Sequence, residues 1–419
     1  MRVLLIHPPY VPFRIPLNER PVVRPPAVSP LGLGSIAAVL RAQGHDVVYV
    51  DHYADRFETV RRTVAERRPE VVGFPCLTEQ RLSTFACAGI AREEAPEARI
   101  VLGGPHASAL WRQILTHLAI DAVVIGEGES QVGPLVAAWA AGRDPEGIPG
   151  IAWRRGEEIA SNGPAPLIAD LDALPIPELP SNLPLPDARE ILDAGIDVPE
   201  GAALANIVSS RGCPWACRFC SASHFWRAKW RFRSAESVLE EIRARHRAGA
   251  RVFVFQDDNF AVKTERARAI AEGIAALGDD VRWTFMARIN HLDTSLLDLF
   301  RRSGCIACNV GLESGSPEIQ RTTGKKLDLD LFRRVARAIR DSGIRLHAFL
   351  MVGNPGESDR TIDETVSFIR EVGPDSFSVL IATVYPETGF AQDMEEMGAL
   401  DESYWLTDGP PPYYLREAS

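Results

Sequence analysis

Short apolar runs alternate with amphipathic stretches almost from the first residue. Val3 to Ile6 is apolar at every position and stops at Pro8-Pro9-Tyr10, the pattern of a strand buried on both faces and its exit loop. Pro30-Leu31-Gly32-Leu33-Gly34 opens an amphipathic helix to about Ala42, Gly44 closes it, and Val47 to Val50 forms the next strand. The unit repeats with a helix near 55–67, strand Val71–Phe74, a helix near 82–94, strand Ile100–Leu102, a helix near 108–118 and strand Ala122–Ile125. Strands joined by single helices predict a doubly wound, Rossmann-like parallel sheet over residues 1–140.

From 141 to 205 the alternation loosens. Gly150 to Ile159 reads as a small hairpin, and prolines crowd from Pro164 to Pro186, so this stretch is expected to be a linker. The alternation resumes with strands Asn206–Ser209, Val252–Gln256, Arg282–Ala287, Asn309–Leu312, Leu346–Val352 and Ser376–Thr383. Helices fall between them near 234–248, 263–277, 293–303, 328–342 and 358–371, the first opened by Ser234 as N-cap. Six strands with five helices between them over 206–385, six such units or nearly so, predict an incomplete parallel barrel, a partial (β/α)6. Residues 386–419 are left as a short C-terminal tail, too small for a substrate domain of its own.

Composition narrows the class further. The 419 residues give room for two or three domains, and a net charge of −10 argues against nucleic acid as the principal partner. No stretch approaches the roughly 20 apolar residues of a membrane span. The apolar run at the N-terminus is too short for a signal peptide, so a cytoplasmic, reducing location is expected.

The chemistry concentrates in Ser210-Arg211-Gly212-Cys213-Pro214-Trp215-Ala216-Cys217-Arg218-Phe219-Cys220. Structural zinc wants four ligands and no second pair lies nearby; disulfides do not suit a chain with seven cysteines and no secretory segment. Three thiolates this close instead suit a 4Fe-4S cluster one cysteine short, which leaves an iron open. Parallel barrels carry their working residues at the carboxyl ends of strands. Here these ends are the cysteine loop, Gln256-Asp257-Asp258-Asn259, Arg288-Ile289-Asn290, Glu313-Ser314-Gly315 and Gly353-Asn354-Pro355-Gly356-Glu357. By contrast, Cys305 and Cys308 straddle the start of a strand and read as core, and the aromatic and basic run Phe225 to Arg231 reads as cover over the cluster in preference to the lining of a second cofactor's interface.

CxxxCxxC with the aromatic Phe219 before its last cysteine resembles the signature of the radical SAM superfamily. The resemblance implies a cluster on Cys213, Cys217 and Cys220, whose open iron is chelated by S-adenosylmethionine and whose electron cleaves it to methionine and a 5′-deoxyadenosyl radical. It further implies S-adenosylmethionine contacts at Phe219, Asp257 and Asp258 (the methionine amino group), Arg288 and Asn290 (ribose and carboxylate), Glu313, and the adenine-binding segment at Val352 and Gly353. An external electron donor such as flavodoxin or ferredoxin follows from the same chemistry.

In the N-terminal sheet, the loops Pro8-Pro9-Tyr10, Pro75 to Thr78, Gly103-Gly104-Pro105-His106 and Gly126-Glu127-Gly128-Glu129 follow the strands, where ligands of such sheets bind. The glycines suit either a close-lying ligand or merely tight turns. Together with Pro30 to Leu33, the set resembles the cobalamin-binding domain of one large radical SAM class. Expected cobalamin contacts are Pro9, Tyr10, Thr78, Gly103, Gly104, His106, Gly126, Glu127 and Gly128. The DxHxxG pattern is absent, with Asp51-His52-Tyr53 after the second strand instead, so cobalamin is expected without a protein histidine on cobalt. The function implied is methylation of an unactivated carbon of a small-molecule or lipid substrate. Radical rearrangement, ring contraction or oxidative cyclisation is the alternative within the enzyme class. A non-catalytic cobalamin or cluster protein, acting as sensor or electron carrier, is the alternative outside it.

Overall fold

The computed structural model describes residues 1–10, 30–192, 196 and 198–414. The chain forms two compact units, Met1–Pro184 with Gly398–Pro411, and Leu185–Met397 with Pro412–Ser419.

In the first unit, β1 (Arg2–His7), β2 (Asp46–Asp51), β3 (Val71–Pro75), β4 (Arg99–Gly103) and β5 (Ala122–Val124) are parallel. The predicted hairpin forms as β6 (Ile151–Arg155) and β7 (Glu158–Ser161), and β6 pairs antiparallel with β5. Strand order is β2-β1-β3-β4-β5-β6-β7. Why β1 is apolar at every position is now plain. Leu4 and Ile6 enter a layer with Val60, Val64, Ala88 and Leu115, whereas Val3 and Leu5 enter another with Ala37, Leu40, Leu135 and Val136. Chain direction across the sheet reverses between β1 and β3, and ligands of doubly wound sheets lie at that reversal, beyond the carboxyl ends of the strands. The expected helix at 108–118 is instead two, Pro105–Ala109 and Trp111–His117; Pro105 at the first helical position, after Gly104 at φ +99°, starts the first turn early.

The second unit continues with β8 (Ala203–Ile207), β9 (Ser210–Arg211), β10 (Arg231–Phe232), β11 (Ala250–Phe255), β12 (Arg282–Ala287), β13 (Cys305–Glu313), β14 (Arg345–Val352) and β15 (Ser376–Ile381). Six of these make one parallel sheet in the order β15-β14-β13-β12-β11-β8, and β9 and β10 make a separate antiparallel pair. β8 and β15 stand at the two ends of the sheet, so it is the open partial barrel that the alternation predicts. Helices Ala235–Arg247, Thr264–Ala275, Leu329–Asp341 and Asp359–Val372 bury their apolar stripes on it. Side chains set their ends: Ser234 accepts from the Ser237 N–H, Asp328 from Asp330 and Leu331, and Ser358 makes a reciprocal capping box with Thr361.

The tail contains more structure than its pattern suggested, with a helix at Gly389–Glu396 and a turn at Glu402–Leu406. Among the described residues no helix is long and apolar enough to cross a membrane.

The barrel core is aromatic: Phe255, Phe260, Trp283, Phe285 and Phe300 are buried in mutual ring contact. Phe300→Ala leaves a cavity that these rigid rings cannot fill, at a cost of about 3–5 kcal/mol. Denaturant unfolding should show the barrel transition at lower midpoint with unchanged slope.

Candidate active site

The cysteine loop leaves the barrel under tight control. Asp257, at the end of β11, is 1% exposed. One oxygen accepts from the Ser209 N–H at 2.7 Å, and the other from the hydroxyls of Ser209 at 2.6 Å and Ser210 at 2.5 Å. Arg266 donates to the Ser209 carbonyl at 2.6 Å and Arg233 to that of Val208 at 3.3 Å. The Ser209 N–H is thereby taken from the sheet ladder, and for this reason β8 ends at Ile207 rather than at Ser209. Gly212 has φ +85°, and a Cβ there would meet the Lys229 carbonyl oxygen at 2.1 Å and the Trp226 Cβ at 2.9 Å. Only glycine fits immediately before Cys213.

Cys217 is buried, Cys213 and Cys220 are half-buried, and none of the three is in a disulfide. Burial pushes the thiols of Cys213 and Cys220 up, against hydrogen bonds from the backbone at Trp215 and Ser223. On the far side the loop is tied to the tail helix: Arg218 pairs with Asp393 at 2.5 Å, and the Phe219 ring lies 6.2 Å from that of Phe390. Arg227 and Ala228 both adopt left-handed backbone, which turns the chain back into β10, and Trp226 lies under Arg231 at 5.3 Å.

Of the other strand-end residues, Asp258 is exposed and its Oδ2 accepts from the Gly212 N–H at 3.0 Å. Arg288 is buried with one guanidinium nitrogen 3.5 Å from the Cys217 Sγ and another donating to the Lys325 carbonyl. Its guanidinium lies 3.9 Å from the centre of the Trp215 ring. Asn290 presents a buried Oδ1 with no partner. Glu313 follows a register shift in β13, has φ +64°, and pairs with Lys325 at 2.9 Å. Such a left-handed glutamate is strained backbone of the kind that gathers at functional sites. Burial opposes a charge on Lys325, but Glu313 and the Cys217 sulfur beside it hold its pKa above the ordinary value. Val352 and Gly353 end β14, where the Val352 carbonyl accepts from Ala382 and the Gly353 N–H donates to Glu357.

Trp215 and Asn259, which lie in the named strand-end segments, complete this group together with Lys325 and His291, which do not. Trp215 donates to His291 at 3.3 Å, whose other ring nitrogen lies 2.8 Å from the Asn259 amide. Burial and the charge of Arg288 lower the His291 pKa, in keeping with a neutral acceptor ring.

The first unit gathers a different set at its strand ends. His7, ending β1, bonds Asp51 of β2 at 3.0 Å and lies 3.1 Å from Gln80, so the contact bridges the β1–β3 reversal. Its ring stacks on Tyr53 at 4.9 Å, which Tyr10 meets at 5.2 Å. Thr78 bonds His106 Nδ1 at 3.1 Å. His106 is 1% exposed and lies against Trp405 at 5.9 Å. Arg81 is fully buried and donates to the carbonyls of Trp405 and Gly409, holding the Gly398–Pro411 segment in place. Glu127 is buried and accepts from the Ile168 N–H, so it fastens the chain rather than facing outward. Gly104, close against Cys76, makes a tight turn; Gly126 faces open space; Gly128 is closed off by Ile36. Gly103 leaves ordinary van der Waals room against Val124, and Pro9 is buried beside Tyr10.

Comparison with known proteins gives a matching domain for each unit. Residues 207–369 match the radical SAM superfamily, and residues 22–135 match the B12 binding domain. An uncharacterized methyltransferase of Pyrococcus horikoshii is 29% identical over 93% of this chain and 82% of its own length. The anaerobic magnesium-protoporphyrin IX monomethyl ester cyclase of Rubrivivax gelatinosus is 28% identical over 94% and 70%. The fold is shared with the radical S-adenosylmethionine methyltransferase TsrM of Kitasatospora setae, at TM-score 0.76 and 21% identity, covering 95% of this chain and 75% of that one. The chain is therefore a member of the radical SAM superfamily. Within it, the B12 binding domain ahead of the barrel places it in the cobalamin-dependent class.

The residues present fit these cofactors. No group of three or more His, Cys, Asp and Glu side chains among the described residues is arranged to hold a metal ion. A cubane cluster makes a different demand, since each cysteine binds a different iron, and three cysteines on one loop are the type of donor set it takes. In the first unit, Asp51 Oδ2 at the end of β2, Gln80 Oε1 in the turn after β3 and His106 Nε2 in the helix after β4 are buried without partners. A corrin rimmed with amides offers hydrogen-bond donors to acceptors of this kind.

Two outcomes follow from this geometry. Gly212→Ala should leave the barrel folded by circular dichroism yet lower the iron bound per chain after anaerobic reconstitution, because the loop cannot close past Lys229. Burial, and secondarily the charge of Arg81, pushes His106 from 6.5 down to about 3. The unfolded chain takes up a proton near 6.5 that the folded chain refuses, so this stabilising difference is complete above 6.5 and is lost as pH falls toward about 3. Urea midpoints measured across that window should fall more steeply for the wild type than for His106→Gln.

Proposed function

We propose that the chain is a cobalamin-dependent radical SAM C-methyltransferase acting on an unactivated carbon of a small-molecule or lipid substrate. The observation that carries this reading is the cysteine loop at the carboxyl end of the first strand of an open parallel barrel, in a chain that also has a B12 binding domain. When bound, the cluster supplies the electron that splits S-adenosylmethionine for radical formation, and cobalamin supplies the methyl group.

Within this reading Cys213, Cys217 and Cys220 hold three irons of the cluster. Asp258 receives the methionine ammonium, because it is exposed at the strand end while both oxygens of Asp257 serve Ser209 and Ser210. Asn290 offers its unpartnered oxygen to a ribose hydroxyl, and Glu313 lies where ribose or methionine is held. Phe219 packs the loop, and Val352 and Gly353 border the adenine. Around the reversal of the first sheet, Pro9, Tyr10, Thr78, Gly103, Gly104, His106 and Gly126 line the cobalamin site, with Glu127 and Gly128 shaping the loop behind them. The electron comes from a small external carrier such as flavodoxin or ferredoxin, in a reducing cytoplasm.

The cyclase relative supports a second reading, radical rearrangement or cyclisation. Anaerobic reconstitution with iron, sulfide and cobalamin, followed by S-adenosylmethionine and reductant, separates the two. The expected products are 5′-deoxyadenosine and S-adenosylhomocysteine in comparable amounts, with 5′-deoxyadenosine falling to background in Cys217→Ala. Loaded protein that forms no 5′-deoxyadenosine overturns the radical reading, and 5′-deoxyadenosine without S-adenosylhomocysteine favours cyclisation.

A further inference from the structure

Arg288 is the least expected charge in the barrel. It is 5% exposed, yet no carboxylate pairs with it among the described residues. One terminal nitrogen donates to Cys217 Sγ at 3.5 Å and the other to the Lys325 carbonyl, while Nε is buried without a partner. The face of the guanidinium is covered by Trp215, itself held by His291. The neighbouring cation, Lys325, is matched by Glu313 at 2.9 Å, so that pair leaves the local balance unchanged. Arginine stays protonated at any working pH, and burying such a charge unpaired is costly. The site must therefore expect an anion at the Cys217 sulfur.

We infer that Arg288 is the counter-charge of the iron–sulfur cluster and raises its reduction potential. This rests on the reading that Cys213, Cys217 and Cys220 hold the cluster. A cluster gains one negative charge on reduction, and a fixed cation in a site shielded from water favours the more negative form. The contact is to a thiolate of the protein, so the effect exists before S-adenosylmethionine binds. This distinguishes it from a role in holding the carboxylate of that ligand.

The test is an anaerobic redox titration of the reconstituted full-length chain, followed by electron paramagnetic resonance without S-adenosylmethionine, on wild type, Arg288→Gln and Arg288→Lys. At the wild-type midpoint, the ratio of reduced to oxidised cluster should be at least tenfold lower in Arg288→Gln, which is 59 mV for a one-electron couple. Arg288→Lys, which keeps the charge and loses the fork, should stay within threefold of wild type. A fully loaded Arg288→Gln that titrates with the wild type overturns the inference, as does an Arg288→Lys shifted as far as Arg288→Gln. If Arg288→Gln binds no iron, Arg288→Lys decides: a loaded cluster at the wild-type potential supports the counter-charge, and a chain that also binds no iron overturns it. A wild type that binds no iron overturns the reading of the cysteine loop itself, and this inference with it.

Discussion

Everything in the barrel site depends on where the cysteine loop departs, and one buried carboxylate fixes that point. Asp257 is taken out of water, which by itself raises its pKa, with Arg266 and the groups of Ser209 and Ser210 acting in the other direction. A buried carboxylate with this many donors is held in one geometry, because losing any of them leaves an unsatisfied charge. Ser209 and Ser210 in turn set the direction of Gly212, whose backbone no other residue can adopt. The thiolates inherit their positions from this chain of constraints.

The fold was largely legible because the sequence repeats one physical problem. A parallel strand covered by helices on both faces must be apolar throughout, as Val3 to Ile6 is, and a parallel crossover must carry a helix. The departures have local causes. β8 ends early because Asp257 captures the Ser209 N–H, and the helix after β4 breaks at Leu110 because Pro105 starts it early. β13 runs back to Cys305 because Cys305 and Cys308 pack as apolar residues in the core. The structure of the tail escaped because its holds come from Arg218 and Arg81, 175 and 324 positions away in sequence. No local pattern carries those contacts.

The site was legible in its positions more than in its contacts. Asp257, Asp258, Arg288, Asn290 and Glu313 are legible as strand-end residues, and all lie at the carboxyl end of the barrel sheet. What each one touches depends on side-chain packing, which periodicity does not encode. Adjacent aspartates look alike in sequence, but one faces inward to the serines and the other faces solvent. Lys325 carries no such signal because it sits in a connection between helices and not at a strand end. Glu127 looked like a ligand contact in a glycine-rich loop and is in fact bonded to the backbone of Ile168.

The two units leave different groups unmatched at their strand ends. In the barrel, a buried cation without a carboxylate stands beside thiols, an arrangement that is unfavourable until something anionic is bound. In the first unit the buried groups at the strand ends are an imidazole kept neutral and lone oxygens lacking donors. Unpartnered acceptors of this kind suit a ligand that brings hydrogen-bond donors. Each unit therefore leaves unmet the electrostatic demand that its own cofactor satisfies: negative charge at Cys217, and amide donors at Asp51 and Gln80. Because folding alone leaves both demands unmet, cofactor binding should act on the stability of each unit as well as on its reactivity.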